Sequence, residues 1–316
     1  MNDSSTPAAI EISNLSYTYR GHWLVSRKQA LKNVSITVAA GESFGFLGHN
    51  GAGKTTTIKS ILGITRIRQG SISIFGLSNS DIQARSLIGY LPEYPYFYDH
   101  LNVEELLTMY GALAGIPGRD LPAARTRALD LVKLSGRLKT PLRSLSKGLM
   151  QRVGMAQAII ARPRLLILDE PFSGLDPLGR KDFKDLLVQL KSEGVTIFMS
   201  SHILSDVEFL CERVSIMSQG EIKGIFNLRD IPTLSAARYE LVLEETAAGR
   251  NIISTFNLTS QSQNGRLLIQ LAEREDADRV LRAALDAQVR IDSYTTIQNS
   301  LEDVFVKLVQ FDESRG

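Results

Sequence analysis

The sequence predicts an α/β protein that carries a smaller α+β domain at its C-terminal end. Short apolar runs alternate with amphipathic helical patterns over most of the 316 residues. A Gly-rich turn lies between one of these runs and a helical pattern, at residues 48–55. Composition changes at residues 229–238, where Pro232 stands among small residues, and this change marks a domain boundary. The length suits about two domains of roughly 100–200 residues each.

Composition excludes several classes of protein. Lys plus Arg number 36 and Asp plus Glu 34, so the net charge of +2 is too small to indicate a nucleic-acid partner. Cys211 is the one cysteine, which excludes an internal disulfide, fits a reducing compartment and is expected to be a buried thiol. No run approaches the ~18 apolar residues of a membrane span, and the first residues show no signal-peptide pattern. We therefore expect a cytoplasmic protein.

The first elements form an antiparallel β-subdomain. Residues 1–9 are predicted to be a flexible tail. Alternating apolar positions then predict short half-buried strands between Ile10 and Val38, with a loop at residues 20–29 that contains His22 and Trp23. An apolar strand at 43–48 runs into the Gly-rich turn, and a helix at 55–64 follows it.

The later elements complete an α/β core and a second domain. Strands are predicted at 72–75, 88–91, 165–169, 195–200 and 214–217, and helices at 103–115, 123–136, 150–161 and 182–194. Residues 93–161 are almost wholly helical in this interpretation and form an inserted helical subdomain. The core domain spans 10–228. The accessory domain spans 229–316, with strands in YELVLEE, RLLIQL and VRIDSYTTI and helices at 276–287 and 300–309.

The Gly-rich turn has the pattern of a phosphate-binding loop. GHNGAGKT at 48–55 fits G-x-x-x-x-G-K-[ST], with the required strand before it and helix after it. Gly51 and Gly53 let backbone N–H groups point at phosphate oxygens. Lys54 places a positive charge between the β- and γ-phosphates, and the Thr55 hydroxyl can bind Mg²⁺. The sequence therefore predicts a P-loop NTPase core.

Two adjacent carboxylates follow a buried strand in LLILDEP at 165–171. Asp169 at the end of this strand would face the phosphate loop and hold Mg²⁺ through water. Glu170 would orient and deprotonate the attacking water. A solvated acidic turn is the alternative, and the phosphate loop favours the catalytic interpretation.

Further motifs resemble the ATPase subunits of ATP-binding cassette (ABC) transporters. LSKGLMQR at 145–152 resembles the family signature LSGGQxQR, and its Ser146 lies 23 residues before Asp169. PFSGLDP at 171–177 resembles the D-loop, and IGYLPE at 88–93 resembles the segment that leads into the Q-loop. His202, which ends MSSH, matches the switch histidine. The resemblance covers residues 10–225.

The resemblance implies that two cassettes pack head to tail around ATP. Ser146 and the N–H of Gly148 would contact the γ-phosphate held by the other copy, and Tyr19 would stack on adenine. ATP would drive dimerisation, and hydrolysis would release it. The implied nucleotide-binding residues are Tyr19, Gly48, His49, Asn50, Gly51, Ala52, Gly53, Lys54, Thr55, Thr56, Glu93, Ser146, Lys147, Gly148 and Asp176. The implied Mg²⁺ ligands are Thr55, Glu93 and Asp169, and the implied catalytic residues are Lys54, Glu170 and His202.

Three positions depart from the family pattern. Glu93 replaces the usual Gln, which keeps an oxygen ligand but adds a negative charge. Lys147 replaces the second-position Gly of the signature, and Leu149 replaces its Gln. We expect a functional ATPase with altered nucleotide contacts, and a slow, degenerate site is the alternative. These variants and SLEDVFVKL at 300–308 resemble the ATPases that serve separately encoded permeases of type-two ABC exporters.

Partners follow from the same resemblance. They would be a second copy of the chain, or a heterodimeric equivalent, and an integral membrane permease at the cytoplasmic face of the plasma membrane. No nucleic acid is expected.

A soluble ABC ATPase that acts on nucleic acid or ribosomes is the alternative. Such proteins usually carry two cassettes in one chain, or a long coiled-coil insertion between the phosphate loop and the signature. Here Lys54 and Ser146 are only 92 residues apart. A kinase or GTPase would not account for the signature, the D-loop and His202 together. The accessory domain would support the dimer or regulate it, and we favour the first role.

An aromatic cluster follows Glu93 directly and has two equally weighted interpretations. Tyr94, Tyr96, Phe97 and Tyr98 occupy four of five positions around Pro95. The cluster either packs on the helical subdomain or forms a docking surface for the permease. His49 and His100 are predicted to be loop residues.

Overall fold

The computed structural model describes residues 7–20, 27–233, 238–297 and 301–313. The chain divides into two compact units, Met1–Leu228 and Arg229–Gly316. The strands of the first unit are β1 (Ile10–Arg20), β2 (Arg27–Val38), β3 (Ser43–Leu47), β4 (Gln69–Ile74), β5 (Leu77–Ser78), β6 (Ile88–Leu91), β7 (Leu165–Asp169), β8 (Thr196–Ser201), β9 (Arg213–Ser218) and β10 (Glu221–Asn227). Its helices are α1 (Lys54–Ile61), α2 (Ile82–Ser86), α3 (Val103–Leu113), α4 (Leu121–Leu131), α5 (Lys147–Ile159), α6 (Pro177–Ser192) and α7 (Leu204–Leu210).

The N-terminal strands form the expected antiparallel sheet, in the order β2-β1-β4-β5. Several boundaries differ from the prediction. β1 extends to Arg20, and β4 begins at Gln69, three residues earlier than predicted. Ala9 is buried and its N–H donates to the carbonyl of Val38, so the end of the predicted tail already belongs to the sheet. Residues 27–29 belong to β2 and not to a loop, because Lys28 and Gln29 pair with Tyr19 and Thr18 of β1. Residues 1–6, and residues 21–26 with His22 and Trp23, lie outside the described residues.

The central sheet has six strands in the order β10-β9-β3-β8-β7-β6. The five strands from β9 to β6 run parallel, and β10, which the sequence pattern did not predict, pairs antiparallel with β9 at the edge. Every residue of β3, β7 and β8 is buried, as expected of parallel strands covered on both faces. Leu47 pairs with Ser201 and Asp169 with Ser200, so the carboxyl ends of these three strands meet at one edge.

The inserted segment is less helical than predicted. Residues 92–101 between β6 and α3 contain no helix, and two short 3-10 turns, at 135–137 and 142–144, separate α4 from α5. α5 begins at Lys147, three residues earlier than predicted, because the Ser146 hydroxyl accepts the N–H of Leu149 and caps the helix. α6 likewise begins at Pro177, after the Asp176 cap, and not at residue 182.

The second unit is a four-stranded antiparallel sheet with helices. Its elements are β11 (Arg238–Glu244), α8 (Ala247–Thr255), β12 (Ser260–Gln263), β13 (Arg266–Leu271), α9 (Arg274–Asp286), β14 (Ile291–Ile297) and α10 (Leu301–Glu313), and the strand order is β12-β13-β11-β14. α8 was not predicted; Thr246 caps it by accepting the N–H of Gly249. Ala277, Val280 and Ala284 of α9 are buried, whereas Leu285, predicted on the same stripe, is exposed. No described helix of the chain is long and apolar enough to span a membrane.

Candidate active site

The phosphate loop joins β3 to α1 through two glycines in the left-handed region of backbone space. Gly51 has φ 85° and Gly53 has φ 117°, and a Cβ on Gly53 would approach the Met217 methyl carbon to 2.7 Å. Gly53 precedes the first residue of α1, and no side chain caps this helix. Its first N–H groups therefore remain available to an anion.

Lys54 is buried at the start of α1, with its ammonium held between the loop and a carboxylate. Its Nζ donates to the carbonyl of Gly48 at 2.6 Å and lies 3.5 Å from Oε1 of Glu170. A buried ammonium beside free helical N–H groups is the arrangement that binds the phosphates of a nucleotide.

A cavity of about 520 Å³ opens beside the loop. The predicted site residues that line it are Tyr19, His49, Asn50, Gly51, Gly53, Lys54, Thr55, Thr56, Glu93, Asp169 and Glu170. Gly48 and Ala52 are not among the lining residues: Gly48 supplies the carbonyl that holds Lys54, and Ala52 is buried in the core beneath the loop. The volume is within the range of small-molecule sites.

The cavity also has walls that no motif indicated. Lys28, Gln29, Ala30 and Lys32 of β2 line it, together with Gln219 and Gly220 after β9. The β2 group and the group after β9 are more than 100 positions apart in the sequence. The first group has the pattern of an ordinary strand and the second that of an ordinary turn. Only the sheet pairing brings them to the phosphate loop.

The Tyr19 side chain is half-exposed at this cavity. Its hydroxyl lies 3.2 Å from the Thr56 hydroxyl, and its ring stands edge-on to Tyr17 with centroids 5.0 Å apart. These contacts hold the ring beside the phosphate loop. An aromatic face in this place suits a nucleobase.

Asp169 brings its carboxylate next to the Thr55 hydroxyl. Oδ2 accepts from Thr55 Oγ1 at 3.3 Å, and Oδ1 accepts from Ser200 Oγ at 2.6 Å. Burial and the Asp169 charge together raise the pKa of the neighbouring Tyr90 to about 12, so this phenol stays neutral. Hydroxyl and carboxylate oxygens are the ligands that Mg²⁺ prefers, and the residues present fit that ion.

Glu170 occupies a strained position directly after β7. Its φ is 49°, in the left-handed region, at a cost on the order of 1–3 kcal/mol. Its N–H donates to Ser200 Oγ at 3.1 Å, and His202 Nδ1 lies 2.7 Å from its Oε2. Its Oε1 is buried and accepts no hydrogen bond from any residue that the structure describes, although the Lys54 ammonium is nearby. The nearest charge to this oxygen is therefore the Lys54 ammonium, 3.5 Å away.

Four predicted nucleotide contacts lie away from this cavity. Ser146 caps α5, and Asp176 caps α6 through the N–H of Gly179. Lys147 extends over the ring of Tyr94, with Nζ 4.9 Å from the ring centroid, and Gly148 lies near Leu175. None of the four lines the cavity of their own chain.

The aromatic cluster after Glu93 is partly buried and partly exposed. Phe97 is buried and packs edge-on against Tyr110 of α3, with ring centroids 6.0 Å apart. Tyr94, Tyr96 and Tyr98 are exposed by 63%, 89% and 61%. One ring therefore anchors the segment and three face solvent.

Cys211 is confirmed as a buried free thiol, and burial raises its pKa well above the ordinary value. It follows α7 in an extended conformation and is not a helical residue as predicted. A thiol of this kind is unreactive.

Comparisons with known proteins agree with this geometry. The ABC transporter family model matches residues 31–173, and the model of the C-terminal domain of DrrA1-3-like ATP-binding proteins matches residues 233–309. An uncharacterised ABC transporter ATP-binding protein of Synechocystis, sll0415, is 39% identical over 94% of this chain and 84% of its own length. The linearmycin resistance ATP-binding protein LnrL of Bacillus subtilis is 33% identical over 71% of this chain and 72% of its own. The dimeric, ADP- and phosphate-bound structure of the ATP-binding cassette MJ0796 is 23% identical, with a TM-score of 0.64 over 70% of this chain and 99% of that one.

The chain thus belongs to the ATP-binding proteins of ABC transporters. The predicted α/β cassette fold is confirmed, and so is the resemblance drawn from the motifs. The protein is an ATPase and an ATP-binding transporter subunit, with a DrrA-like domain after its cassette.

Proposed function

We propose that this chain energises an exporter, by hydrolysing Mg-ATP between two copies of itself that are bound to a separately encoded permease. One observation supports the proposed dimer. The phosphate loop, Asp169 and Glu170 line the same cavity, and Ser146 does not line it. A complete site then needs the Ser146 segment of a second chain. The dimeric MJ0796 structure has this fold, which supports the arrangement.

Lys54 and the N–H groups of α1 would hold the β- and γ-phosphates. Thr55, Asp169 and Glu93 would supply oxygen ligands to Mg²⁺, which screens the charge of the phosphate oxygens. Glu170 would take the proton of the attacking water on Oε1. His202 keeps the other oxygen of Glu170 in place, and in the closed dimer it would contact the γ-phosphate.

Ser146 and Gly148 would complete the second copy's site at the N-terminus of α5. Helix N-termini favour anions, because their N–H groups and their dipole are both directed at the ligand. Asp176 caps α6 and directly follows Leu175, whose side chain lies near Gly148, so Asp176 would take part in the same interface. Association of the two copies would therefore require ATP, and hydrolysis of that ATP would weaken the dimer.

The export direction is supported by two similarities. LnrL is named as a linearmycin resistance ATP-binding protein, and removal of a compound from the cell is one route to resistance. The second unit of this chain matches the C-terminal domain model of DrrA1-3-like ATP-binding proteins. The exposed Tyr94, Tyr96 and Tyr98 would form the permease contact at the cytoplasmic face of the membrane. The DrrA-like domain would support the dimer.

A Glu170→Gln variant tests the ATPase role and the dimer together. This substitution removes the proton acceptor but keeps the shape of the side chain, so we expect hydrolysis to fall by about 10²–10⁴-fold with ATP still bound. Light scattering should show a dimer with Mg-ATP and a monomer without nucleotide.

Glu208→Gln is the matched control, since Glu208 is exposed on α7, and it should behave as the unmodified chain. A Glu170→Gln chain that stays monomeric at saturating Mg-ATP would contradict the proposed dimer. An unchanged hydrolysis rate would contradict the role of Glu170.

The permease contact is tested on the exposed tyrosines. A Tyr96→Ala/Tyr98→Ala variant keeps the buried anchor Phe97, so the segment should fold normally. We expect at least about tenfold less of this variant in the membrane fraction with its hydrophobic partner, since aromatic side chains dominate interface energies. Unchanged membrane recruitment would contradict the docking role, and recovery of the chain with ribosomes or nucleic acid would favour the alternative class.

A further inference from the structure

We propose that the chain has a second ligand site, in which Arg127, Arg162 and Arg164 bind the phosphate group of a small phosphomonoester. The site lies at the amino ends of β7 and β8, and none of its lining residues also lines the nucleotide cavity. Since β7 is a strand of 5 residues, about 15 Å of extended chain separates the site from Asp169. The site depends neither on ATP nor on the dimer proposed above.

The site is a cavity of about 390 Å³. This volume is within the range of small-molecule sites and leaves room for more than a phosphate group. Part of the lining is apolar and consists of Ile159, Pro163, Leu190 and Val195. A ligand that fits this cavity therefore combines an anionic group with a small apolar body.

Three guanidinium groups line the cavity, and the Glu193 carboxylate is the one acidic group in its lining. Arg127 Nη2 lies 3.8 Å from Glu193 Oε2, and no described residue forms an ion pair with Arg162 or Arg164. Burial and the charge of Arg162 lower the pKa of the Arg127 guanidinium, although Glu193 acts in the opposite direction. The excess of two positive charges matches a phosphomonoester, which is close to a dianion at neutral pH.

Two of the guanidinium groups are held in place by contacts within the protein. The guanidinium carbon of Arg164 lies 4.1 Å from the ring centroid of Phe75, which is buried. Arg127 Nη1 donates to the carbonyl of Ile159 at 3.4 Å. A guanidinium that is already oriented loses little freedom when its parallel N–H groups bind phosphate oxygens. These contacts therefore favour a phosphate group over an anion with a single charge.

A ligand in this cavity would join segments that are distant in the sequence. Arg127 belongs to α4 of the inserted segment, whereas Arg164 directly precedes β7. The Arg164 carbonyl accepts the N–H of Thr196 at the start of β8. A phosphate bound to both arginines would thus fasten α4 to the central sheet. Because the unfolded chain has no such cavity, binding should stabilise the first unit.

Calorimetry on the full-length chain tests the site, with phenyl phosphate as the probe. The Lys54→Ala background removes the ammonium of the phosphate loop, so that the loop contributes little to the binding heat. We expect phenyl phosphate to bind at one site per chain. Benzoate has the same ring and a single charge, and it should bind at least about tenfold more weakly, because it makes fewer charge-assisted hydrogen bonds.

Substitutions in the same background locate the binding. Arg162→Gln and Arg164→Gln should each weaken the binding of phenyl phosphate by about tenfold or more. Arg137→Gln is the matched control, since Arg137 is exposed in the same unit and does not line the cavity, and it should bind as the parent does. Urea unfolding without the probe establishes that each variant is folded. With the probe, the urea midpoint should rise in the parent and in Arg137→Gln, and rise less in Arg162→Gln.

Vesicles distinguish the two sources of such a phosphate group, since phosphatidic acid is itself a phosphomonoester. Cosedimentation with phosphatidylcholine vesicles that contain phosphatidic acid, lost in Arg162→Gln, would assign the site to a lipid headgroup. Binding of phenyl phosphate without cosedimentation would assign it to a soluble metabolite. Phenyl phosphate that binds no more tightly than benzoate would overturn the site, and so would equal binding in Arg162→Gln, Arg164→Gln and Arg137→Gln.

Discussion

Ser200 is the side chain that holds the two carboxylates of the site apart. Its hydroxyl donates to Asp169 Oδ1 at 2.6 Å and accepts the Glu170 N–H at 3.1 Å. Adjacent carboxylates repel each other. The Ser200 hydroxyl orients the Asp169 carboxylate and anchors the backbone of Glu170, so the two carboxylates point to different neighbours. Asp169 then faces Thr55, and Glu170 faces Lys54 and His202.

Ser200→Ala should therefore reduce hydrolysis more than binding. The substitution leaves Asp169 Oδ1 without its donor in a buried site, and such a loss costs about 1–3 kcal/mol. We expect kcat to fall about tenfold or more, with the ATP dissociation constant changed by less than about threefold. Steady-state hydrolysis and equilibrium nucleotide binding provide the two measurements.

Ser215→Ala is a matched control, because the Ser215 hydroxyl is equally buried, in β9 of the same sheet, but has no hydrogen-bond partner among the described residues. Its removal should leave kcat unaltered. Equal losses of activity in both variants would show that Ser200 acts only through packing.

At the scale of elements, α6 and α7 are joined by a buried carboxylate. Asp206 of α7 is 1% exposed and lies 3.3 Å from an Arg180 nitrogen and 3.0 Å from Lys184 Nζ, both on α6. The Lys184 ammonium also lies 4.9 Å from the ring centroid of Phe209. Since α7 begins two residues after His202, this ion-pair cluster fixes the helix that follows His202.

Asp206→Asn should destabilise the first unit by about 3 kcal/mol. It leaves two partly buried cations without their counter-charge, which costs more than the ion pair itself contributes. Urea unfolding measures the loss, and the midpoint should fall without a change in slope. Asp185→Asn is the control, because Asp185 is exposed on α6, and it should shift the urea midpoint little. If Asp206→Asn shifts the midpoint no more than this control, the ion-pair cluster does not stabilise the unit.

At the scale of the whole molecule, the nucleotide cavity belongs to one of the two compact units. The cassette unit contains every residue of the cavity, and the second unit has its own apolar core, which includes Leu241, Ile269 and Val280. Removal of residues 229–316 should leave ATP affinity within about threefold of the full chain.

The same truncation should weaken ATP-driven dimerisation by about tenfold or more if the second unit supports the dimer, and sizing with and without Mg-ATP measures this. Unchanged dimerisation with altered hydrolysis would show that the unit is regulatory instead.

Much of the cassette was predictable because its signals are local. The phosphate loop, the buried strand that ends at Asp169 and the Ser146 signature each lie within one short segment, and their physics depends on adjacent residues. Helix starts were less predictable. Caps at Ser146 and Asp176 begin helices whose apolar pattern appears only a turn later, and α8 is a short amphipathic helix that the sequence analysis did not predict.

The sequence by itself predicted the class of chemistry from two local motifs. Lys54 and Thr55 lie on a strand–loop–helix unit, and Asp169 and Glu170 stand at the end of a buried strand, so each pair has a place that adjacent residues determine. The tertiary structure alone decided which other residues share the site. Sheet pairing brings Ser200 to Asp169 across 31 positions, and helix packing brings Lys147 to Tyr94. Such contacts depend on how distant segments pack, and no local pattern records that arrangement.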